Sequence, residues 1–306
     1  MYKSEIVKSV LEEYSQKRSE ENHRASMYEK NVFEIPELKS INNEIRTLNL
    51  EISKAEFASE KNKVNKLKMI QEEKLKAQNA LFDKYNIHAE YLKPVYECKH
   101  CEDTGFDNGD YCKFCFDRAY KIKLYKLCGV KLKGVSQLSK MDFSYYQNKS
   151  AEIEKICKLL NNSINSEKIK TILLTGKTGT GKTYISKSFV KSCIAENKYV
   201  KFVSAFNLIK DIYNFENGLE KMEEYINCDV LVIDDLGIEP KFKNLTENLL
   251  NIINERANKL TLITTNLSLT GLDEVYSQRL LSRVANREHS LVFNFDGDNL
   301  NFKTKK

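Results

Sequence analysis

The stretch "LLTGKTGTGKTYISK" (173–187) restricts this chain more than any other. It reads as a buried strand, a glycine-rich turn and the start of a helix. "GKTGTGKT", Gly176 to Thr183, fits the G-x-x-x-x-G-K-[ST] pattern. In such a loop Gly176, Thr178, Gly179, Thr180 and Gly181 let backbone N–H groups approach phosphate oxygens. Lys182 reaches the β and γ phosphates, and the Thr183 hydroxyl binds Mg²⁺. Nucleoside triphosphate binding follows from the pattern because a strand precedes it and a helix follows.

Residues 151–306 alternate apolar runs with helical stretches. Strands are expected at 170–175, 199–204, 229–234, 260–265 and 290–295. A helix runs through about Ala195, another follows the second strand through about Phe215, and another covers roughly 244–258. Near-continuous apolar runs imply buried parallel strands. The fold expected is an α/β P-loop NTPase with a five-stranded parallel sheet.

Three further groups carry chemistry. "VLVIDDLG" ends a buried strand at Asp234, which can hold Mg²⁺ through water. Asp235 can orient the attacking water, or instead cap a helix or pair with a cation. Its side chain is one methylene shorter than a Glu, which implies slow hydrolysis. "LITTNLS" puts Asn266 at the C-terminal end of a strand, where open parallel sheets bind ligands. Its alternative role is a turn cap. "YSQRLLSRV" sets Arg279 and Arg283 four apart on one helical face. They either stabilise phosphoryl charge in a neighbour's site or are plain surface arginines.

The N-terminal part differs. Residues 1–93 hold 17 basic and 16 acidic residues, no Gly and one Pro. A heptad seam runs Leu38, Ile41, Ile45, Leu48, Ile52, Ala55, and a second Leu67, Ile70, Lys74, Ala77, Leu81. With the polar "SEKNK" between them, an antiparallel helical hairpin is expected; one long surface helix is the alternative. Residues 94–128 carry C-x2-C, ten residues, then C-x2-C: Cys98, Cys101, Cys112 and Cys115. This spacing fits a closed four-thiolate Zn²⁺ site. A redox dithiol pair is disfavoured by two such motifs so close together. His100 is exposed, supports the ligands, or replaces one Cys. Residues 129–150 read as a linker.

Composition excludes some roles. No run of 18 apolar residues exists, so no membrane span is expected. The N-terminus lacks a signal-peptide core, which leaves the cytoplasm. The net charge of +6 rests mainly on lysine and says little about nucleic acid. Arginine is scarce, eight residues, yet Arg279, Arg283 and Arg287 cluster, as planar anion recognition requires.

The order "GKTGTGKT", "VIDDLG", "LITTN" and "QRLLSR" resembles AAA+ ATPases of the bacterial replicative helicase-loader group, the DnaC/DnaI/IstB type. A helical, cysteine-bearing N-terminal part is similar to DnaI-type loaders. The resemblance is specific over roughly 135–300 and looser over 1–93. It implies an AAA+ core with little or no lid, ATP as the nucleotide, and slow hydrolysis. It also implies an N-terminal region that grips a DnaB-type hexameric helicase, an ATPase domain that binds single-stranded DNA, and self-assembly. Asp234 and Asp235 become the Walker B pair and Asn266 sensor 1. Arg283, with Arg279 as alternate, becomes the finger acting in trans. A transposition helper of the IstB kind, and a zinc and coiled-coil adaptor with a structural ATP site, are the competing readings.

Overall fold

The glycine-free N-terminal segment folds as three long helices, α1 (Lys3–Val32), α2 (Pro36–Phe57) and α3 (Lys61–Lys84). They belong to a computed structural model that describes residues 3–237, 245–297 and 300. The chain divides into two compact units, residues 11–116 and residues 1–10 with 117–306. Among the described residues no helix is long and apolar enough to cross a membrane.

In the first unit, α2 and α3 form an antiparallel hairpin. Pro36 opens α2, where a missing amide is harmless. The turn is tight: Ser59 is left-handed (φ 57) and Glu60 N donates to Ala55 O at 3.0 Å. α2 buries Leu38, Ile41, Ile45, Ile52 and Ala55 along the expected seam, with Leu48 half-buried. α3 keeps its expected seam only in part: Leu67, Lys74 and Leu81 are half-buried, Ile70 and Ala77 are exposed, and Val64, Gln78 and Phe82 are buried. Long polar side chains beside the seam reach partners on α2 instead. Lys84 meets Glu37 at 2.8 Å, Lys68 meets Glu56 at 2.8 Å, and Gln71 bonds Asn49. Partners ascend one helix as they descend the other, which fixes the register. At the hairpin's base, Val32 of α1 joins Leu38, Ile41, Ile45 and Phe82 in one apolar cluster.

The cysteine segment of the same unit lies along α1. The Tyr14 hydroxyl donates to Cys115 O at 3.1 Å, and Lys17 pairs with Glu97 at 2.9 Å. Two short strands, β1 (Phe106–Asp107) and β2 (Asp110–Tyr111), pair antiparallel. Asn108 and Gly109 between them both have positive φ, 51° and 88°, as a two-residue hairpin turn of the right twist demands.

The second unit continues with α4 (Phe116–Leu127), α5 (Ser150–Ser163), β3 (Thr171–Gly176), α6 (Lys182–Ala195) and β4 (Val200–Ser204). There follow α7 (Ala205–Ile212), α8 (Gly218–Asn227), β5 (Val230–Leu236), α9 (Leu245–Glu255) and β6 (Leu260–Thr265). The series ends with α10 (Leu269–Val275), α11 (Gln278–Val284) and β7 (Ser290–Phe295). All five strands β3–β7 are parallel, in the order β4-β5-β6-β3-β7. β3, which feeds the glycine loop, is therefore an interior strand between β6 and β7, and its first five residues are buried.

Three features depart from the sequence reading. After β4 the chain forms two helices instead of one. The break sits at Gly218, where an added Cβ would lie 2.4 Å from Ile212 O. Residues 129–150, expected as a linker, bury Leu132, Val135, Leu138, Met141 and Tyr146. β5 runs two residues past Asp234, with a register irregularity between Ile233 and Leu236. The fully buried Arg256 also went unforeseen. Its guanidinium donates to the carbonyls of Tyr225 (2.7 Å), Cys228 (2.8 Å) and Leu260 (2.7 Å), pinning the C-terminal end of α8 to the start of β6.

Candidate functional site

The glycine loop leaves β3 at Gly176, whose φ of 124° and close neighbour demand glycine: a Cβ there would stand 2.1 Å from Phe295 O. Gly181 (φ 93) then starts α6. Lys182, the first residue of α6, is buried. Its ammonium donates to Gly176 O (2.6 Å), Lys177 O (2.7 Å) and Asn266 Oδ1 (2.9 Å). Burial lowers its pKa, while the Asp235 and Asp234 carboxylates oppose that shift. Thr180 is buried and donates to Lys177 O at 2.9 Å, which closes the loop on itself. Thr178 is exposed at the loop's crest, and Gly179 O accepts from Leu300 N at 2.8 Å.

Asp234 and Asp235 sit at the irregularity in β5. Ile233 pairs with Ile263 and Leu236 with Thr265, so two aspartates on β5 face the single Thr264 on β6. Asp235 consequently takes a left-handed backbone (φ 58), a conformation non-glycine residues hold only where surroundings enforce it. Thr264 does the enforcing. Its hydroxyl accepts from Asp235 N at 2.9 Å and donates to Asp234 Oδ1 at 2.7 Å. Thr183 Oγ1 donates to the same Asp234 oxygen at 3.2 Å. Burial raises the Asp234 pKa against these hydrogen bonds, and the adjacent Asp235 adds to the rise.

The structure thus brings Lys182, Thr183, Asp234, Asp235 and Asn266 to one end of the sheet. Lys182 and the loop amides fit a polyphosphate; Thr183 and Asp234 fit a divalent cation bound to it. Asp235, half-buried beside them, is free to act on a water. Two elements were missed in the sequence. Thr264 looked like an ordinary strand residue; its signal was a doubled threonine, "TT", at the end of an otherwise apolar strand. The other is a cleft of about 220 Å³ beside the loop, lined by Tyr146, Gln147, Asn148, Thr180, Phe295 and Leu300. It shares Thr180 with the phosphate loop and has room for a nucleoside's base. A third of its lining, Tyr146 to Lys149, comes from the segment expected to be a linker.

Arg279 and Arg283, on α11, are exposed. Neither guanidinium has a hydrogen-bond or ion-pair partner among the described residues, and neither joins the network around Lys182.

In the other unit, the Sγ atoms of Cys98, Cys101, Cys112 and Cys115 all lie within 4.8 Å of one another. Cys98 and Cys112 approach to 3.8 Å, Cys101 and Cys115 to 3.4 Å. No disulfide joins them. Four thiols this close suit a tetrahedral soft cation. The buried Asp103 accepts from Glu97 N and Cys98 N (2.9 and 2.8 Å), shaping the first turn of the cluster. His100 stacks on Phe114 (3.7 Å between centroids) and is not part of the ligand group.

A family model described as IstB-like ATP binding protein matches residues 117–306. The ATP-binding protein assigned to insertion sequence IS5376 of Geobacillus stearothermophilus is 25% identical over 221 residues, covering 67% of this chain and 86% of that protein. The chromosomal replication initiator protein DnaA of Campylobacter jejuni is 34% identical over 118 residues, which are 37% of this chain and 27% of DnaA. Among solved structures, DnaI aligns at 22% identity and a TM-score of 0.47 over 58% of this chain and 99% of that one. The DnaC helicase loader aligns at 24% identity and a TM-score of 0.43, over 51% and 98%.

Thr264→Val keeps the shape of the site and removes both hydrogen bonds that hold the aspartates. It should weaken Mg²⁺-dependent nucleotide binding or turnover by about 10–100-fold, the usual effect of losing a group that orients a metal ligand. Titrating Mg²⁺ against a fluorescent ATP analogue measures it. Unchanged Mg²⁺ dependence would show that Thr264 is only a strand residue.

Proposed function

The chain belongs to the IstB-like ATP-binding family, and we propose that it is an ATP-dependent loader of the hexameric, DnaB-type replicative DNA helicase. It binds the helicase and helps to place it on single-stranded DNA. One observation carries this reading: a full set of nucleotide-site groups is joined to a unit, residues 11–116, built of a helical hairpin and a four-thiol cluster. That unit has the features of a recognition element, and the nucleotide times its action.

In this reading residues 1–93 grip the helicase and 94–128 form the zinc module. Residues 129–150 join it to the ATPase domain, 151–306. Cys98, Cys101, Cys112 and Cys115 hold Zn²⁺. ATP lies on Gly176, Thr178, Gly179, Thr180, Gly181, Lys182 and Thr183, with Mg²⁺ on Thr183 and Asp234. Asp235 positions the attacking water and makes hydrolysis slow. Asn266, bound to Lys182 in this structure, reports the γ-phosphate. Arg283, with Arg279 as alternate, completes a neighbouring subunit's site. The protein works in the cytoplasm.

The similarity to the insertion-sequence ATP-binding protein over 67% of this chain favours a second reading, a helper ATPase in transposition. The four-cysteine module discriminates, since helpers of that kind usually lack it. A third reading, an adaptor whose ATP is structural, is separated by a hydrolysis assay.

Co-purification of the full chain with the host's replicative helicase, with and without ATP, tests the main reading. An ATP-dependent complex is expected, and no complex in either state removes the loader assignment. Metal analysis should find one Zn²⁺ per chain, lost in Cys98→Ser/Cys112→Ser; metal-free wild-type protein contradicts the zinc site. For the arginine, chains with Arg283→Ala should still bind ATP but lose assembly-dependent hydrolysis. Mixing them with Lys182→Ala chains should restore part of it, because mixed interfaces rebuild one intact site. A mixture that recovers nothing, with Arg283→Ala abolishing ATP binding outright, places the arginine within its own chain's site.

A further inference from the structure

From Arg118 to Lys140 the chain carries seven basic residues and no acidic one. Acidic residues are almost as common as basic ones overall, 43 against 49, so the missing acids set this run apart more than the abundant lysine. The fold turns part of the run into an open groove of about 670 Å³, lined among others by Tyr125, Lys126, Lys131, Lys133 and Lys191.

The lysine-bearing loop is anchored. Phe202 N donates to Cys128 O at 2.7 Å, Leu138 N to Ser192 Oγ at 2.9 Å, and Lys191 Nζ to Val135 O at 2.6 Å. Gly129 (φ 83) allows the close approach to β4, since a Cβ there would stand 2.5 Å from Phe202 O. Leu132 and Val135 are buried while Lys131 and Lys133 are exposed, so apolar residues fix the loop and lysines project from it. Among the described residues the ammoniums of Lys126, Lys131 and Lys133 have no carboxylate partner. A fold that holds like charges together without counter-charge favours a polyanion in the groove.

We infer that this groove binds the phosphodiester backbone of a single nucleic-acid strand. The inference rests on the reading that the protein handles single-stranded DNA, and it names where the strand lies. An open channel admits a strand that passes through. The half-buried ring of Tyr125 among the ammoniums offers a base a stacking surface, the combination that single-strand sites use. An acidic peptide would use the lysines and leave the ring without a role. Lys191 stands on α6, the helix that starts at Lys182. Nine residues separate the two, about 13 Å of helix at ~1.5 Å per residue. One rigid element therefore meets the triphosphate at its first turn and the strand near its last.

The test uses the full chain and a fluorescein-labelled oligothymidylate about 20 nucleotides long, followed by anisotropy across a KCl series. Lys126→Ala/Lys131→Ala/Lys133→Ala should weaken binding at least about tenfold near 0.1 M salt. It should also flatten the plot of log affinity against log salt by about 2, because each phosphate contact on a single strand contributes roughly 0.7. The corresponding triple Arg variant should keep both affinity and slope, and Tyr125→Ala should weaken binding at unchanged slope. Binding of a fluorescent ATP analogue, expected to be intact, confirms that the variants are folded. The inference is overturned if the folded triple Ala variant binds the strand like the wild type. It is equally overturned if polyglutamate of matched charge displaces the strand as well as unlabelled oligothymidylate does, or if the wild-type chain binds no strand. Helicase co-purification stands apart from all three outcomes and decides the loader reading by itself.

Discussion

Thr264 donates to Asp234 and accepts from the Asp235 amide, and this one hydroxyl closes the irregularity that sets two adjacent carboxylates apart. Side chains alternate along a regular strand, so Asp234 and Asp235 would point to opposite faces. The extra residue in β5 re-aims them. Asp235 accepts a left-handed backbone in return, a conformation that costs on the order of 1–3 kcal/mol. Asp234 is also nine-tenths buried, which disfavours its charge. Two threonine hydroxyls on one oxygen offset that penalty. A divalent cation would offset it further, and so would find the carboxylate already ordered.

Lys182 shows the same economy with the opposite charge. Its ammonium is buried, yet all three of its donors are used, on two loop carbonyls and Asn266. The lysine is thus poised at the phosphate loop before any anion arrives, at little cost in side-chain entropy. Because Asn266 shares this ammonium, an arriving phosphate that draws the lysine away leaves the amide to find a new partner. On the proposed reading a strand-end amide thereby reports the state of the loop with no large movement of the backbone.

Most of this was legible because phosphate chemistry demands local patterns. The loop lies in one stretch of eight residues, and β6 and β7 run over the expected residues. The thiol cluster was equally plain, since metal ligation fixes spacing. What stayed hidden depends on contacts between distant segments. Thr264 matters only because β5 and β6 are neighbours. The cleft beside the loop needs residues 146–149 to meet residues 294–297 and Leu300. The second helix after β4 rests on a close approach at Gly218, and the α3 seam was legible only in part, because heptad counting puts Ile70 and Ala77 in the core where the hairpin exposes them.

The groups gathered at one end of the sheet suit a phosphate and a divalent cation, and among the described residues no arginine joins them. Arg256 is committed to backbone carbonyls in the core, and Arg279 and Arg283 face solvent. On the proposed reading this is what makes the nucleotide a timer. A site that binds ATP by itself but needs a neighbour's guanidinium for turnover hydrolyses only when assembled. Slow chemistry at an Asp–Asp pair lengthens the interval between the two events. Placing a strand groove on the helix that carries the phosphate loop adds a second condition, so that assembly, strand and nucleotide are read on one rigid element.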